Sequence, residues 1–124
     1  MATVLIADDS RTTQMLVMRA LHHLPDLEFL SAENGNQALE VLERQPVDLL
    51  VTDVNMPEMD GIALVREIRK TRDKGTLPIL IITAKAEVSA KDEGLVLGAN
   101  AYILKPLSGH ELARQVRTLL GRDR

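Results

Sequence analysis

The stretch LLVTD, residues 49–53, places a short apolar run, Leu49–Thr52, directly before the carboxylate of Asp53. A run of this length, rich in Leu and Val and without polar alternation, is typical of a strand buried on both faces of a sheet. Four further runs have the same character: Val4–Ala7, Phe29–Ala32, Ile79–Thr83 and Ala101–Leu104. The intervals between the runs are too long for hairpins. The pattern therefore predicts five parallel strands joined by helical crossovers.

Helical periodicity and helix start signals occupy the intervals between these runs. Apolar residues with the spacing of one helix face are Met15, Met18 and Leu21, then Ala38, Leu39 and Leu42, then Leu64, Val65 and Ile68, then Leu112, Val116, Leu119 and Leu120. Capping-box spacing, in which two side chains satisfy reciprocal backbone amides, occurs at Asn34–Gln37, Ser89–Asp92 and Ser108–Glu111, and Asp60 is a candidate N-cap. The chain is thus predicted to be an α/β protein of five βα units, (βα)5, with helices on both faces of the sheet.

Length and composition exclude several classes of protein. The 124 residues are expected to form a single domain spanning residues 1–124. A formal net charge of −3 and a pI near 5.6 argue against electrostatic binding of nucleic acid. The sequence has no cysteine, so disulfides, thiolate metal sites and cysteine nucleophiles are excluded. Its apolar runs are too short to span a membrane and no signal peptide is visible, so we expect a cytoplasmic protein.

Polar side chains follow four of the predicted strands, at the edge where open parallel sheets bind their ligands. They are Asp8 and Asp9 after the first strand, Asp53 and Asn55 after the third, Thr83 at the end of the fourth, and Lys105 with Pro106 after the fifth. Two carboxylates about 4 Å apart repel each other by roughly 4 kcal/mol at an effective dielectric constant of 20. Lys105 offsets only one of the acids, and hard oxygen ligands suit Mg²⁺. The strand ends therefore predict a magnesium site.

Four motifs give the chain a resemblance to the receiver domains of response regulators, the CheY-like proteins of two-component signalling. The motifs are Ala7-Asp8-Asp9-Ser10, VTDVNMPEMDG at residues 51–61, Ile82-Thr83-Ala84, and GANAYILKP at residues 98–106. Over residues 3–120 the chain is similar to a receiver domain of the single-domain type. The resemblance implies a doubly wound, flavodoxin-like sheet of five parallel strands in the order 2-1-3-4-5.

The resemblance also implies which residues hold the phosphoryl group and the metal. Asp53 would be the phosphoacceptor. Asp9 and Asp53 would bind Mg²⁺ directly, Asp8 would bind it mostly through water, and Asn55 would bind it through the backbone carbonyl. Lys105 would contact the phosphoryl oxygens. These roles agree with the chemistry of phosphoryl transfer, which depends on positioning and on charge neutralisation at the phosphoryl oxygens.

Further residues would carry the switch and the phosphoryl lifetime. By the same resemblance, Thr83 would hydrogen-bond the phosphoryl group and Tyr102 would act as an aromatic rotamer switch. Asn55 and Lys85 would flank the phosphoryl group and tune its lifetime. The peptide bond between Lys105 and Pro106 would be cis.

The implied function is a phosphorylation-dependent signalling switch. The phosphoryl donor would be the phosphohistidine of a histidine kinase or of a phosphotransfer protein. The chain would catalyse its own phosphorylation and dephosphorylation, so it is not expected to be a conventional turnover enzyme. The signal would pass to a downstream protein through the face of residues Ser89–Leu120, without direct contact to nucleic acid or to a membrane.

Three alternatives share parts of this pattern. A flavodoxin-like FMN carrier has the same architecture, but Asp8 and Asp9 would repel a phosphate and the chain is only 2% aromatic, which leaves little to stack a flavin. A phosphatase of the haloacid-dehalogenase type would need a second Asp two residues after Asp53, where this chain has Asn55. A degenerate receiver that only mediates contacts is disfavoured by the complete set of site residues.

Overall fold

A computed structural model describes residues 1–84 and 98–122 of the chain. The strands are β1 (Ala2–Ala7), β2 (Leu27–Ala32), β3 (Leu49–Asp53), β4 (Ile79–Thr83) and β5 (Ala101–Leu104). The helices are α1 (Arg11–Leu21), α2 (Gly35–Arg44), α3 (Gly61–Arg69) and α4 (Gly109–Leu119). Within these residues, no helix has the length and apolar composition that crossing a membrane requires.

The five strands form one parallel sheet in the order β2-β1-β3-β4-β5, which confirms the predicted fold class and strand order. The order reverses between β1 and β3, so the carboxyl ends of these two central strands meet where ligands bind in doubly wound sheets. Ala7, the last residue of β1, is in register with Thr52, and Asp53 is in register with Ile82 of β4. The sheet therefore places the turn after β1 beside the end of β3.

Two apolar layers cover the two faces of the sheet. Leu5 and Ala7 of β1 pack with α2 and α3, while Val4 and Ile6 pack with α1 and α4. This alternation is the period-two pattern of a strand that is covered on both sides. Every residue of β3 and β4 is buried, including Asp53 and Thr83 at their ends. The apolar runs thus form a core that has polar groups at the carboxyl ends of its strands.

The predicted apolar face of α1 is wrong at Met15. Ser10 caps the helix, and the buried residues are Gln14, Val17 and Leu21, whereas Met15 is 55% exposed. The buried row begins at Gln14 and not at Met15. A search for apolar periodicity misses this start because Gln14 is polar. The hydrogen bonds that allow Gln14 to be buried belong to the site described below.

At the starts of α2, α3 and α4, each predicted N-cap side chain accepts a hydrogen bond from a backbone N–H. Asn34 accepts a hydrogen bond from the N–H of Gln37 at 2.9 Å, Asp60 from Ala63 at 2.8 Å, and Ser108 from Glu111 at 3.3 Å. The reciprocal bonds predicted for both capping boxes are wrong. The Oε1 of Gln37 accepts from the N–H of Glu33 at 2.8 Å and not from Asn34, and the carboxylate of Glu111 accepts from Arg114 at 2.7 Å. The Ser89–Asp92 pair and the helix predicted to follow it lie outside the described residues.

Candidate functional site

Three carboxylates meet at the carboxyl ends of β1 and β3. Asp8, Asp9 and Asp53 each offer an oxygen, and these oxygens all lie within 4.8 Å of one another. Asp8 and Asp53 are buried, whereas Asp9 is exposed. The sheet order produces this cluster, because neighbouring parallel strands end side by side. The structure therefore brings together the three acids that the sequence predicted to meet.

Asp8 has one carboxylate oxygen that is satisfied and one that is not. Its Oδ1 accepts a hydrogen bond from the N–H of Ser10 at 2.8 Å. Its Oδ2 is buried and has no hydrogen-bond partner among the described residues. Burial raises the pKa of the Asp8 carboxyl to about 6; the Ser10 bond and the charge of Lys105 lower it, and the charges of Asp53 and Asp9 raise it. The charged form of this pocket is therefore costly without a compensating cation.

The donor set of this acidic cluster fits a hard divalent cation. All the candidate ligands are carboxylate oxygens, which Mg²⁺ prefers over nitrogen and sulfur. A buried carboxylate oxygen without a partner, the Oδ2 of Asp8, is what a bound cation or its water would satisfy. With the three acids ionised and Lys105 protonated, the formal charge is −2, which a divalent ion would neutralise. The buried oxygen, the carboxylate ligands and the net charge of the cluster thus all indicate a divalent cation such as Mg²⁺.

Asp53 is the last residue of β3, and its carboxylate lies between the acids and a lysine. Its Oδ1 accepts the N–H of Val54 at 2.8 Å, and the Nζ of Lys105 lies 3.4 Å from its Oδ2. The side chain of Asp53 is 7% exposed and that of Lys105 is 34% exposed. One oxygen of the Asp53 carboxylate is therefore held by a backbone N–H, and the other faces the partly solvated ammonium group of Lys105.

Lys105 reaches Asp53 because the chain after β5 is held against β4. The N–H of Lys105 donates to the carbonyl oxygen of Thr83 at 2.8 Å, and the Lys105–Pro106 peptide bond is cis, as the resemblance implied. Thr83 is fully buried at the end of β4, where its Oγ1 donates to the carbonyl of Ala84 at 3.4 Å. The hydrogen bond between Lys105 and Thr83 places both residues at the same edge of the sheet as the acids.

Three further residues were predicted to act at this site or in the switch, namely Asn55, Tyr102 and Lys85. Asn55 is exposed in the loop that follows Asp53. Tyr102 pairs in register with Ile81 on β5 and is 36% exposed, so in this structure the ring is not part of the core. Lys85 lies outside the described residues. The switch and lifetime roles expected for these residues therefore stay predictions.

The structure also contains a buried polar residue that the sequence did not indicate. The Nε2 of Gln14 donates to the carbonyl of Asp8 at 2.7 Å and to that of Ala32 at 3.3 Å. It thereby holds the turn after β1 against the end of β2. The sequence signal for this residue is its position in one helix row with Val17 and Leu21, because a glutamine on a buried helix face needs a specific partner.

A cleft of about 570 Å³ lies along β5 and α4, away from the acids. It is lined by residues 100–104 together with Ser108, Glu111 and Gln115. Its rim includes Tyr102 and Leu104, which are exposed large apolar side chains. This cleft belongs to the face that was predicted to bind a downstream protein, and the acidic cluster remains the site with reactive chemistry.

Comparisons with known proteins agree with this site. Residues 4–117 match the family described as the response regulator receiver domain. Response regulator MprA of Mycobacterium leprae (strain TN) is 38% identical over 121 residues, which cover 98% of this chain and 52% of that protein. A Porphyridium aerugineum protein named "Probable transcriptional regulator ycf27" is 35% identical over 119 residues, or 96% of this chain and 48% of that protein.

A solved structure has the same fold. The receiver domain of the Francisella response regulator 1452 is 31% identical, with a TM-score of 0.86 and complete coverage of both chains. The chain spans about half the length of the two regulators named above. With a matching family over most of its length, the expected sheet order and the acidic cluster in place, the chain belongs to the response regulator receiver domains of two-component systems, which are signalling proteins and not metabolic enzymes.

Proposed function

We propose that the chain is a phosphorylation-dependent switch in which Asp53 accepts a phosphoryl group from the phosphohistidine of a histidine kinase or phosphotransfer protein. One observation carries the proposal: the buried carboxylate of Asp53 lies within reach of two further acids and 3.4 Å from the Nζ of Lys105. A structural ion pair would not need the two additional acids, whose charges oppose each other. A phosphoryl-transfer site needs this combination, because it must hold both a cation and an anionic group.

The transfer is a single exchange of bonds at phosphorus. One carboxylate oxygen of Asp53 forms a bond to phosphorus while the phosphorus–nitrogen bond of the donor breaks. The electron pair of that bond stays on the imidazole, which leaves as the neutral ring when its second nitrogen carries the proton. Lys105 stabilises negative charge on the phosphoryl oxygens. In dephosphorylation, which is a separate reaction, a water oxygen forms a bond to phosphorus while the bond from phosphorus to the Asp53 oxygen breaks. The Asp53 carboxylate leaves, and a proton of the water passes to phosphate or solvent.

Magnesium would be held by the residues of the acidic cluster. Asp9 and Asp53 would be direct ligands, Asp8 would act through water, and Asn55 would contribute its backbone carbonyl. When bound, Mg²⁺ supplies positive charge next to the phosphoryl oxygens. The unpartnered buried Oδ2 of Asp8 supports this assignment, because water on the metal would give it a hydrogen-bond donor.

The output would pass through β4 and β5. Thr83 would hydrogen-bond the bound phosphoryl group, and Tyr102 would then turn inward from its present exposure of 36%. The affected surface is the face of residues Ser89–Leu120, part of which lines the cleft along β5 and α4. A downstream protein that prefers the inward state would bind there. Asn55 and Lys85 would modulate how long the phosphoryl group survives.

The family and the composition support a proposal for the domain, the class of partner and the cellular location. The similar regulators are about twice as long as this chain. We therefore assign residues 1–124 to the receiver domain and make no assignment for any other part of the protein. The acidic composition favours a protein partner over direct contact with nucleic acid or membrane. We place the domain in the cytoplasm, where histidine kinases present their phosphohistidine.

Intact-mass spectrometry tests the proposed function. The wild type, incubated with acetyl phosphate and Mg²⁺, should gain one phosphoryl group, and EDTA should prevent this gain. Asp53→Asn should not be modified under the same conditions, because its amide is a poor nucleophile. Asp48→Asn, an exposed acid on another loop, is the matched control and should behave as the wild type. Equal modification of wild type and Asp53→Asn would refute the assignment, and no modification of either would point to the degenerate receiver.

A further inference from the structure

The loop that carries Asn55 is fastened at its far end to the start of α2. This loop, residues 54–60, runs from the phosphoacceptor strand to α3. The N–H of Gly35 donates to the carbonyl of Met59 at 2.8 Å, and the Nδ2 of Asn34 donates to the Oε2 of Glu58 at 3.1 Å. The two elements also lie very close, since a β-carbon on Gly35 would be 2.8 Å from that same Met59 carbonyl.

The Asn34 side chain is a fixed anchor for this contact. It is 5% exposed, and its Oδ1 accepts the N–H of Gln37 as the cap of α2. This bond determines the orientation of the amide, so its nitrogen must face Glu58. An anchor of this kind can hold a loop in one position, whereas a solvated side chain could not.

The turn that contains Asn34 is tied in addition to the turn that contains Asp8. The N–H of Asp8 donates to the carbonyl of Ala32 at 3.0 Å, and Gln14 bonds the carbonyls of both residues. These hydrogen bonds, together with the short chain segment from Ala32 to Asn34, therefore connect the Asp8 turn, the start of α2 and the far end of the Asn55 loop. The two sides of the acidic pocket are linked through α2 as well as through the sheet.

The backbone of Glu58 gives a reason to look for a role of its side chain. Glu58 has φ 66, a left-handed conformation that a glutamate adopts only at a cost and a glycine adopts freely. The backbone alone would favour glycine at this position. What glutamate adds is the carboxylate that accepts from Asn34.

We infer that the Asn34–Glu58 hydrogen bond is a positioning latch that holds the Asn55 backbone at the correct distance from Asp8 and Asp53 for a divalent cation. The inference rests on the proposed function, because it assigns the Asn55 carbonyl to the metal. Neither latch residue belongs to the acidic cluster of Asp8, Asp9 and Asp53. Glu58 is a positioning residue, and loss of the latch should weaken the metal site without abolishing it.

Isothermal titration of the full chain with MgCl₂, paired with urea unfolding in EDTA, separates positioning from folding. Glu58→Ala removes the hydrogen bond and keeps a strained backbone, while Glu58→Gly removes the bond and relieves the strain. Both should weaken Mg²⁺ binding by about 3- to 10-fold. Glu58→Gly should nevertheless unfold at a higher urea concentration than Glu58→Ala. Glu58→Gln retains an acceptor for Asn34 and should bind Mg²⁺ as the wild type does.

The controls decide between the latch and simpler explanations. Glu40→Ala removes one exposed acid on the outer side of α2 and should leave Mg²⁺ affinity unchanged. If Glu58→Gln is as weak as Glu58→Ala, the charge of Glu58 matters and the latch is wrong. Unchanged Mg²⁺ affinity in Glu58→Ala and Glu58→Gly would also overturn it, while the proposed function would stand. A wild type that does not bind Mg²⁺ at all would instead refute the metal site itself.

Discussion

Helix α3 begins so close to the end of β3 that the carbonyl oxygen of Asp53 occupies the space a side chain at Gly61 would need. The N–H of Gly61 donates to the carbonyl of Val54 at 2.8 Å, which holds the helix start in this position. The glycine is required by the close approach of two backbones at Asp53.

The first prediction concerns this contact. Gly61→Ala should lower the free energy of unfolding by about 1–3 kcal/mol, because the methyl group forces the backbone of β3 or α3 to move. Urea unfolding followed by circular dichroism measures this loss. Gly75→Ala is the matched control, since its β-carbon would make only an ordinary 3.5 Å contact with Asp73. Equal unfolding midpoints for Gly61→Ala and Gly75→Ala would show that the β3–α3 contact is loose.

The strands were within reach of sequence reasoning because their apolar runs are unbroken, whereas their order was implied by the resemblance to receiver domains. Every residue of Leu49–Asp53 and Ile79–Thr83 is buried, so the runs carry the signature of a covered parallel strand. The polar residues at the strand ends could then be placed by a general rule for open sheets. The cluster of three acids follows from these two steps, and the resemblance supplied the chemistry.

Interactions between loops could not be predicted in the same way. Gln14 is buried in a helix row that otherwise looks apolar, and its partners are backbone carbonyls, which leave no mark in a sequence. Glu58 has a left-handed backbone, although glutamate is not a residue that usually indicates one. The contact between Asn34 and Glu58 joins residues 24 positions apart in two loops. Such contacts depend on tertiary geometry and become visible only in the structure.

The second prediction follows from the buried carboxyl of Asp8. Burial raises its pKa in the folded protein from 3.8 to about 6, so the folded state holds this proton more tightly than the unfolded chain. The contribution of this group to stability is therefore complete below pH 3.8 and is lost as the pH rises through about 6. At pH 8 the ionised group costs the metal-free protein about 3 kcal/mol, and at pH 5 about half of that.

Asp8→Asn cannot ionise and should remove this pH dependence. In EDTA, its unfolding free energy relative to wild type should increase by roughly 1.5 kcal/mol between pH 5 and pH 8. Mg²⁺ should stabilise the wild type more than the variant, since binding to the folded state adds RT ln(1 + [L]/Kd). Asp26→Asn, an exposed acid, controls for net charge. Parallel pH curves for wild type and Asp8→Asn would contradict the assignment of the raised pKa.

The third prediction concerns Lys105, which lies beside Asp53, the proposed phosphoacceptor. Lys105→Met keeps most of the side-chain length and removes the charge that lies 3.4 Å from Asp53. Phosphorylation by acetyl phosphate at saturating Mg²⁺ should become about 100-fold slower, as expected for the loss of one group that stabilises the transition state. Intact-mass time courses measure the rate. Lys70→Met, which breaks an exposed pair with Glu67, should keep the wild-type rate, and a wild-type rate in Lys105→Met would exclude a role in transfer.

The last prediction concerns the route from Thr83 to the surface of β5. Tyr102 is the only tyrosine and the chain has no tryptophan, so intrinsic fluorescence reports on this one ring. The ring is 36% exposed in the structure. Beryllofluoride with Mg²⁺, which mimics the phosphoryl group, should draw the Thr83 hydroxyl toward Asp53 and let the ring turn inward. Quenching of the tyrosine fluorescence by acrylamide should then decrease.

Two variants connect this change to the Thr83 hydroxyl. Thr83→Ala should still bind beryllofluoride at Asp53 yet show no decrease in quenching, whereas Thr83→Ser keeps the hydroxyl and should respond as the wild type. Coupling between two sites is typically about 1–3 kcal/mol, so a partner that prefers the inward ring should bind about 5- to 150-fold more tightly to the activated wild type. A partner gains affinity only through its preference between the two states, so Thr83→Ala should lose most of this gain. A decrease in quenching that is the same in Thr83→Ala would show that the signal reaches Tyr102 without Thr83.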